Sequence, residues 1–274
     1  MLVPRKITRR KKLITAETFN IQSYQDRGSI TCQRLGNSTN FGSTLLEHGG
    51  MKLYEEKFTI PVGDKTVSSI RTSTDEDPGF TFVYAPGAGS NINDQFGEYL
   101  SVNLPAAGAS LVRFQFPYME AGRKGPDRPA LLEETWRQVI NSFRPKEGKL
   151  VIGGRSMGGR IASQVVAQGI TVDALALFAY PLNPPGNRSV FRDEHLTDIN
   201  VPTIFCSGSR DNFATPDDLV GVSKNMADAK FHELDGADHG FSVLKRSGRS
   251  REDVWKEALD ITVVWMKYIL ASAS

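Results

Sequence analysis

Short apolar runs that alternate with longer amphipathic stretches constrain the fold of this chain more than any other feature of its sequence. The apolar runs are strand-like and lie at 80–86, 110–116, 149–154, 173–180, 201–208 and 230–236. The stretches with helical periodicity lie at about 94–103, 129–144, 157–168, 215–228 and 251–271. Strands that are apolar along nearly their whole length are typical of a sheet covered on both faces, and their alternation with helices indicates right-handed parallel crossovers.

Two segments upstream of this alternation follow a different pattern. Residues 52–62 and 65–73 alternate polar and apolar side chains on either side of the turn at Gly63 and Asp64, which predicts an antiparallel hairpin. We therefore expect an αβα sandwich whose mostly parallel, doubly wound sheet is preceded by this hairpin. We expect the domain to span residues 51–274.

Charge is distributed unevenly along the 274 residues, although the net charge is only +2. Residues 1–50 hold 8 Lys/Arg against 3 Asp/Glu, and the remainder holds 25 against 28. The main part of the chain is therefore not a basic surface of the kind that binds nucleic acid. The basic segment 1–50 has three interpretations: a disordered extension, an organellar transit peptide, or a region upstream of the native start, since Met51 opens the first patterned stretch.

Membrane, disulfide and metal signals are weak in this sequence. No apolar run is long enough to cross a bilayer, and no hydrophobic segment of the secretory type follows the basic residues. Cys32 and Cys206 do not have the spacing of a disulfide framework or a zinc site, and Cys206 lies in an apolar run where we expect it to be buried. We expect a cytoplasmic protein without a metal or organic cofactor, or an organellar one if residues 1–50 are a transit peptide.

The stretch "VIGGRSMGGR" at 151–160 places Ser156 between Gly154 and Gly158, directly after a strand and directly before a helix. Ser156 is either a nucleophile held on a sharp turn or a serine that caps the helix in a glycine-rich loop. A turn from strand to helix within so few residues forces a strained backbone at the serine, and it requires both glycines so that strand and helix can approach. The turn would present the Ser156 hydroxyl above the carboxyl edge of the sheet, where open α/β sheets bind ligands.

A serine nucleophile needs a base, and His239 is the best placed of the four histidines. It lies in a loop after the last strand and before the last helix, from which it can reach back over the sheet edge. His48 lies in an unpatterned segment, and His232 lies within a strand and is expected on a sheet face. His195 either lines the edge of the site and binds substrate or braces a loop.

Asp211 is the predicted acid, because it follows a strand in a polar loop. Asp217 and Asp218 follow Thr215 and Pro216, which is typical of the first turn of a helix and makes those two acids structural. Asp235 and Asp238 are closer to His239 in sequence, but we interpret them as turn residues.

A second glycine-rich loop, "PGAGSN", follows the strand at 80–86. It could supply a backbone donor to an oxyanion, or it could be a tight turn without a function. We predict that the Ala88 and Met157 N–H groups form an oxyanion hole, with Gly87 and Gly89 shaping the loop and allowing close approach of substrate.

With these motifs in place, the sequence resembles the α/β-hydrolase superfamily over about residues 78–271. It is most similar to a small dienelactone-hydrolase-like branch that includes bacterial predicted hydrolases, a testis-expressed protein and a subunit of a chromatin acetyltransferase complex. The matching motifs are "PGAGSN", "FQFPYMEAGRKGPDRP", "GGRSMGGRIAS", "YPLNPPG", "RDEHL", "SGSRDNF", and "GADHGF" followed by "KRSGRSREDV". The resemblance implies an α/β-hydrolase fold with Ser156, Asp211 and His239 as a catalytic triad.

The sequence departs from that family pattern at two places. Residues 85–87 read Ala-Pro-Gly where the family usually has His-Gly, and Asn183 stands where a histidine is usual. Dienelactone hydrolases themselves use a cysteine nucleophile, so a serine at this position points to ordinary ester hydrolysis.

The segment from Pro181 to Ile199 is too short for a helical lid domain, so we expect small, soluble acyl substrates. Arg123 and Tyr118 are the residues outside the two glycine-rich loops that we expect to contact substrate. Further arginines lie near the motifs at 155, 160 and 210, and an anionic substrate would suit them. The alternative is that most of these arginines pair with acids at 120, 127 or 193 and hold loops in place.

These observations favour a serine hydrolase that cleaves small carboxylic esters or thioesters through an acyl-enzyme. The expected partner is a small-molecule ester, with neither nucleic acid nor a membrane span involved. Two alternatives remain: a non-catalytic module of the same fold that binds a protein partner, and a peptidase or acyltransferase that uses the same three residues.

Overall fold

The computed structural model describes residues 39–48, 50–76 and 78–272, and within them one mixed sheet of nine strands organises the chain. The strands are β1 (Thr39–His48), β2 (Met51–Val62), β3 (Lys65–Ser73), β4 (Phe80–Ala85), β5 (Ala109–Phe114), β6 (Lys149–Arg155), β7 (Ala174–Phe178), β8 (Thr203–Gly208) and β9 (Ala229–Leu234). Their order across the sheet is β1-β2-β3-β5-β4-β6-β7-β8-β9. Pairs from β1 to β5 on that side are antiparallel, and pairs from β5 to β9 are parallel. The predicted parallel sheet with a leading antiparallel part is confirmed.

Helices cover both faces of the sheet. The helices are α1 (Gln95–Asn103), α2 (Pro117–Glu120), α3 (Pro129–Phe143), α4 (Met157–Ala167), α5 (Pro216–Asn225) and α6 (Arg251–Ser272), with short 3-10 helices at Pro105–Ala107, Glu194–Asp198 and Lys245–Ser247. One core contains Trp136 of α3 and Ile161 of α4, and the other contains Phe96 of α1 and Met266 of α6. Strands β4, β5, β7 and β8 are buried along their whole length. This burial on both faces explains their near-continuous apolar sequences.

Strand β1 extends the sheet beyond the segment that the sequence pattern marked. The pattern placed the start of the domain at residue 51, whereas the structure pairs β1 with β2 from Thr39 onward. The side chains from Thr44 to His48 are exposed, and Leu45 and Leu46 are adjacent, so this edge strand lacks the alternation that marks a half-buried strand. The interpretations of residues 1–38, including Cys32, fall on residues outside the described part, whereas Cys206 is fully buried as expected.

Short helices lie directly after β5 and between β7 and β8. Strand β5 ends at Phe114, two residues earlier than predicted, and Pro117 begins the short helix α2, as suits a residue without an N–H at a first helical position. Between β7 and β8 the chain forms loops and the 3-10 helix Glu194–Asp198 rather than a lid domain. Within the described residues, no helix is both long enough and apolar enough to span a membrane.

Candidate active site

Ser156 lies in the sharp turn between β6 and α4, which we call the serine turn (residues 153–159). It has φ 53° and ψ −120°, a region that residues other than glycine rarely occupy. Its backbone N–H donates to Phe178 O at 2.9 Å, which fixes the turn against the end of β7. The strained backbone expected from the strand-to-helix spacing is confirmed.

The glycines of the serine turn are required by space. An added Cβ would lie 2.3 Å from Ala85 O at Gly154, and also 2.3 Å from Ala85 O at Gly158. At Gly153 it would lie 1.9 Å from Ala176 O. These contacts are with backbone oxygens of adjacent strands, which cannot move without breaking the sheet. The prediction that Gly154 and Gly158 must lack side chains is therefore confirmed.

The structure brings Ser156, His239 and Asp211 into one hydrogen-bonded chain. His239 Nε2 lies 2.9 Å from Ser156 Oγ, and His239 Nδ1 lies 2.8 Å from Asp211 Oδ2. The Asp211 side chain is fully buried, and its Oδ1 accepts the Phe213 N–H at 2.8 Å. Because both carboxylate oxygens are engaged, Asp211 holds the imidazole in one orientation. A hydroxyl, an imidazole and a buried carboxylate in this order can move a proton away from the hydroxyl oxygen.

Loops after two strands place the histidine and the carboxylate. Asp211 follows β8 in a turn where its N–H donates to Gly208 O at 3.1 Å. His239 follows β9 in a loop fastened by Asp238, whose Oδ1 accepts the N–H groups of Gly240 and Ser242 at 2.9 and 2.8 Å. Asp238 is therefore a turn residue, as predicted.

Asp218 and His232, which the sequence suggested were structural, have structural partners. Thr215 and Asp218 form a reciprocal capping box at the start of α5, where Pro216 is the first residue, as predicted. His232 lies on β9, with its Nε2 2.9 Å from Glu257 Oε1 on α6.

A glycine loop (residues 86–91) between β4 and α1 faces Ser156. An added Cβ at Gly87 would lie 3.4 Å from Ser156 Cβ, and the loop turns through a Ser90 N–H bond to Gly87 O at 3.1 Å. Ala88 is exposed in this turn. In the part of the chain that the structure describes, neither the Ala88 N–H nor the Met157 N–H donates to a protein acceptor. Both are free to donate to a bound molecule.

Tyr118 lies beneath the glycine loop and is completely buried in the core. Its hydroxyl accepts the Gly89 N–H at 3.1 Å, and burial raises its pKa, so the group stays protonated and neutral. The sequence suggested Tyr118 as a substrate contact. The structure instead makes it a support for the loop, because no part of its side chain reaches the surface of the site.

Arg123 and His195, the two other predicted substrate contacts, have internal partners. The Arg123 guanidinium pairs with Asp127, whose other oxygen accepts the Tyr118 N–H at 2.8 Å. His195 Nε2 lies 2.8 Å from Ser163 Oγ, two turns along α4 from Ser156. Burial lowers the His195 pKa. For both residues the structure favours the alternative of a loop brace. The Arg123 partner is local and was among the acids suggested by the sequence, whereas the His195 partner is a tertiary neighbour that sequence spacing does not reveal.

Arg155 is one of the arginines that the sequence offered either to an anionic substrate or to pairing with an acid, and the structure pairs it with Asp94, which was not among the acids suggested. Its Nη2 lies 3.4 Å from Asp94 Oδ1, and its Nη1 lies 3.5 Å from His239 O. Asp94 also caps α1 through the Gly97 N–H at 3.1 Å and accepts the Tyr84 hydroxyl at 2.7 Å. Burial and Asp94 together raise the Tyr84 pKa well above its usual value, so this hydroxyl remains a donor. Arg155 thus links the histidine loop to the start of α1.

A cavity of about 450 Å³ opens beside the serine turn, the glycine loop and the loop that carries His239. Its lining includes Gly89 of the glycine loop, Arg155 next to Ser156, and Gly240 next to His239. Arg251 and Trp255 of α6 also line it. Among the described residues, no group of three or more His, Cys, Asp or Glu side chains could hold a metal ion.

Residues 78–267 match a family model described as an alpha/beta hydrolase domain. Solved structures share the fold at low sequence identity. A protein predicted to be a dienelactone hydrolase from Klebsiella pneumoniae is 16% identical with a TM-score of 0.62, over 78% of this chain and 98% of that one. An alpha-beta serine hydrolase homologue from Coxiella burnetii is 18% identical with a TM-score of 0.58, over 74% and 95%. A cold-adapted esterase from an Arctic intertidal metagenomic library is 14% identical with a TM-score of 0.56, over 76% and 93%.

Proposed function

The chain belongs to the alpha/beta hydrolase family, and on that premise we propose that it is a serine hydrolase that cleaves small carboxylic esters or thioesters. One observation carries the proposal: the unbroken contact from Ser156 Oγ through His239 to the buried Asp211, at 2.9 and 2.8 Å. A residue in a strained backbone conformation at the edge of the sheet is costly to keep for packing alone, which favours a role in chemistry.

In the first half of the reaction, Ser156 Oγ attacks the carbonyl carbon of the ester while His239 Nε2 takes the hydroxyl proton. Asp211 holds the imidazole by Nδ1 and stabilises the imidazolium that forms. The bond from carbon to the leaving oxygen or sulfur then breaks, and His239 returns its proton to the leaving group. The acyl group remains on Ser156 Oγ.

The second half of the reaction repeats these roles with water. His239 removes a proton from water, the hydroxide attacks the acyl carbon, and Ser156 leaves with the proton from His239 as the free acid departs. In both halves we assign the Ala88 and Met157 N–H groups to the negative carbonyl oxygen. Gly87 and Gly89 shape the loop that carries the first of these donors.

Two features support small substrates in a cytoplasmic setting. The connection between β7 and β8 carries only a short 3-10 helix, so no large apolar lid is available to cover a lipid chain. Cys206 is a free, fully buried thiol, which fits a reducing compartment. A peptidase or an acyltransferase would use the same triad, and a non-catalytic binding module would not need it.

The test is hydrolysis of p-nitrophenyl acetate and an acetyl thioester by the wild type and by Ser156→Ala, Asp211→Asn and His239→Gln. We expect each variant to fold and to lose about 10⁴-fold in kcat/KM. Thr215→Ala, which removes a helix cap near Asp211 without touching the triad, serves as the control and should retain activity. Full activity in Ser156→Ala, or none in the folded wild type on either substrate, would overturn the proposal.

A further inference from the structure

The lining of the cavity beside the triad carries one more positive charge than negative charge. Its charged side chains are Arg155 and Arg251 against Asp94. Its acidic lining residue, Asp94, is already engaged by Arg155 at 3.4 Å, by the Tyr84 hydroxyl and by the Gly97 N–H. The Arg155 charge is therefore matched inside the site. What remains is the guanidinium of Arg251, the first residue of α6.

Arg251 is exposed, and its hydrogen bonds go to neutral oxygens. Its Nη2 lies 2.5 Å from Ser242 Oγ, and its Nη1 lies 3.5 Å from Gln95 Oε1. Across the residues the structure describes, no carboxylate lies within ion-pairing distance of Arg251. These two bonds hold the guanidinium between the start of α1 and the loop that follows His239, where Arg251 lines the cavity. A guanidinium that is held in place but has no carboxylate partner can bind an external carboxylate by donating charge-assisted hydrogen bonds to it.

Three aromatic residues are among those that line the cavity. The ring centroid of Phe96 lies 5.1 Å from that of Phe241 and 6.2 Å from that of Trp255. Such a surface suits a short carbon chain, and a volume of about 450 Å³ suits a small molecule. The cavity thus combines aromatic rings with a cation, and its residues Arg155 and Gly240 are the chain neighbours of Ser156 and His239. An ester with a second, charged end matches this combination.

We propose that this cavity binds a carboxylate carried by the ester substrate, so that half-esters of short dicarboxylic acids are the preferred substrate class and Arg251 determines that preference. The inference rests on the proposed hydrolase function and adds the chemical class of its substrate. Neutral lining groups such as Asn91 and Asn93 add polar contacts but no charge that would offset Arg251.

The experiment compares monomethyl esters of succinic, glutaric and adipic acid with the corresponding dimethyl esters, which carry a neutral methyl ester in place of the carboxylate at the far end. For the wild type we expect a higher kcat/KM per ester group on the monomethyl ester at one or more chain lengths. In Arg251→Gln we expect that ratio to fall by about 10- to 100-fold, as the loss of a charged hydrogen-bonding partner implies. Salt should weaken the wild-type preference in the same direction.

Arg144→Gln is the matched control, because it removes the same charge from the end of α3, on the opposite face of the sheet. It should leave the ratio unchanged. A wild type that hydrolyses both ester types without favouring the charged one, or a preference that survives Arg251→Gln, would overturn the assignment of the cavity while leaving the hydrolase proposal standing.

Binding to inactive protein separates the two proposals. Calorimetry of Ser156→Ala with monomethyl adipate should show saturable binding that Arg251→Gln weakens at least about tenfold. If that binding is found but the wild type cleaves no ester, the hydrolase proposal fails and the anion site stands. If Ser156→Ala binds the monomethyl and dimethyl esters equally, the anion site fails.

Discussion

The serine turn contains Ser156, and the glycine loop faces it. Both are rich in glycine, but glycine meets a different physical need in each. In the serine turn, an added Cβ at Gly158 would lie 2.3 Å from Ala85 O and 2.5 Å from Pro86 O. In the glycine loop, an added Cβ at Gly89 would meet nothing within 4 Å, yet the backbone there has φ +74°. The serine turn is fixed by close packing against the sheet. The glycine loop is fixed by its own backbone conformation and by the hydrogen bond from Gly89 N–H to the buried Tyr118 hydroxyl.

This difference teaches how the site divides its tasks. On the proposed mechanism, the serine turn sets the position of the nucleophile through close backbone packing. The glycine loop carries the exposed Ala88, whose N–H we assign to the carbonyl oxygen, and open space surrounds Gly89. Substitutions at matched positions in the two loops should therefore differ in size and in kind.

The largest effect is expected for Gly158→Ala, because its new methyl group would collide with Ala85 O at the end of β4 and with Pro86 O at the start of the glycine loop. We expect a loss of about 3 kcal/mol in the free energy of unfolding. Urea titration followed by circular dichroism measures it. Gly221→Ala is the control, since Gly221 lies exposed in α5 with nothing within 4 Å, and it should stabilise the protein by about 0.5–1 kcal/mol. Equal stability of the two variants would contradict the close packing of the serine turn.

Ser156→Gly should act in the opposite direction on stability. Glycine adopts φ 53° without the strain that serine bears, so the free energy of unfolding should rise by about 1 kcal/mol while ester hydrolysis is lost. Ser223→Gly, inside α5 with ordinary helical geometry, should instead lower stability by about 0.5–1 kcal/mol. A Ser156→Gly protein that melts below the wild type would argue against strain at the serine.

Gly89→Ala tests the glycine loop in the same way. The positive φ should cost about 1 kcal/mol, and the shifted loop should lower kcat for ester hydrolysis. Gly125→Ala is a close match, because Gly125 also has open space around it but lacks a positive φ. It should change neither quantity. Thermal melts and steady-state kinetics on the same samples distinguish the two glycines.

The smallest effect is expected for Tyr118→Phe. The variant removes the hydroxyl that accepts the Gly89 N–H and should cost about 1 kcal/mol in stability together with a fall in kcat of about tenfold or less. Tyr180→Phe removes a buried hydroxyl that donates to Arg192 O at 3.2 Å, and it should cost similar stability without changing kcat. If both variants lower kcat alike, Tyr118 has no particular role in the glycine loop.

The sheet and the three residues of the candidate triad could be predicted because each depends on a local sequence pattern. Ser156, Asp211 and His239 each follow their own strand, and parallel strands bring their carboxyl ends to one edge. The burial of β4 and β8 was equally visible as unbroken apolar sequence.

Charge pairing could be predicted only where the partners are close in sequence. Arg123 pairs with Asp127, four residues along the chain and one of the acids that the sequence suggested, whereas Arg251 has only neutral oxygens as partners and nothing in its local sequence indicates this. Strand β1 was missed because Leu45 and Leu46 are adjacent, so this stretch carries no alternating pattern. The support of Gly89 by Tyr118 spans 29 residues of sequence, and nothing in the local motif reports it.

The central claim is that Ser156 is an activated nucleophile, and reaction with a fluorophosphonate probe tests it most directly. The wild type, Ser156→Ala and His239→Ala proteins would be treated alike and the adduct located by peptide mass mapping. We expect one adduct on Ser156 in the wild type, none in Ser156→Ala, and much slower labelling in His239→Ala. A folded wild-type protein that remains unlabelled, or that carries the adduct on a different residue, would contradict the account.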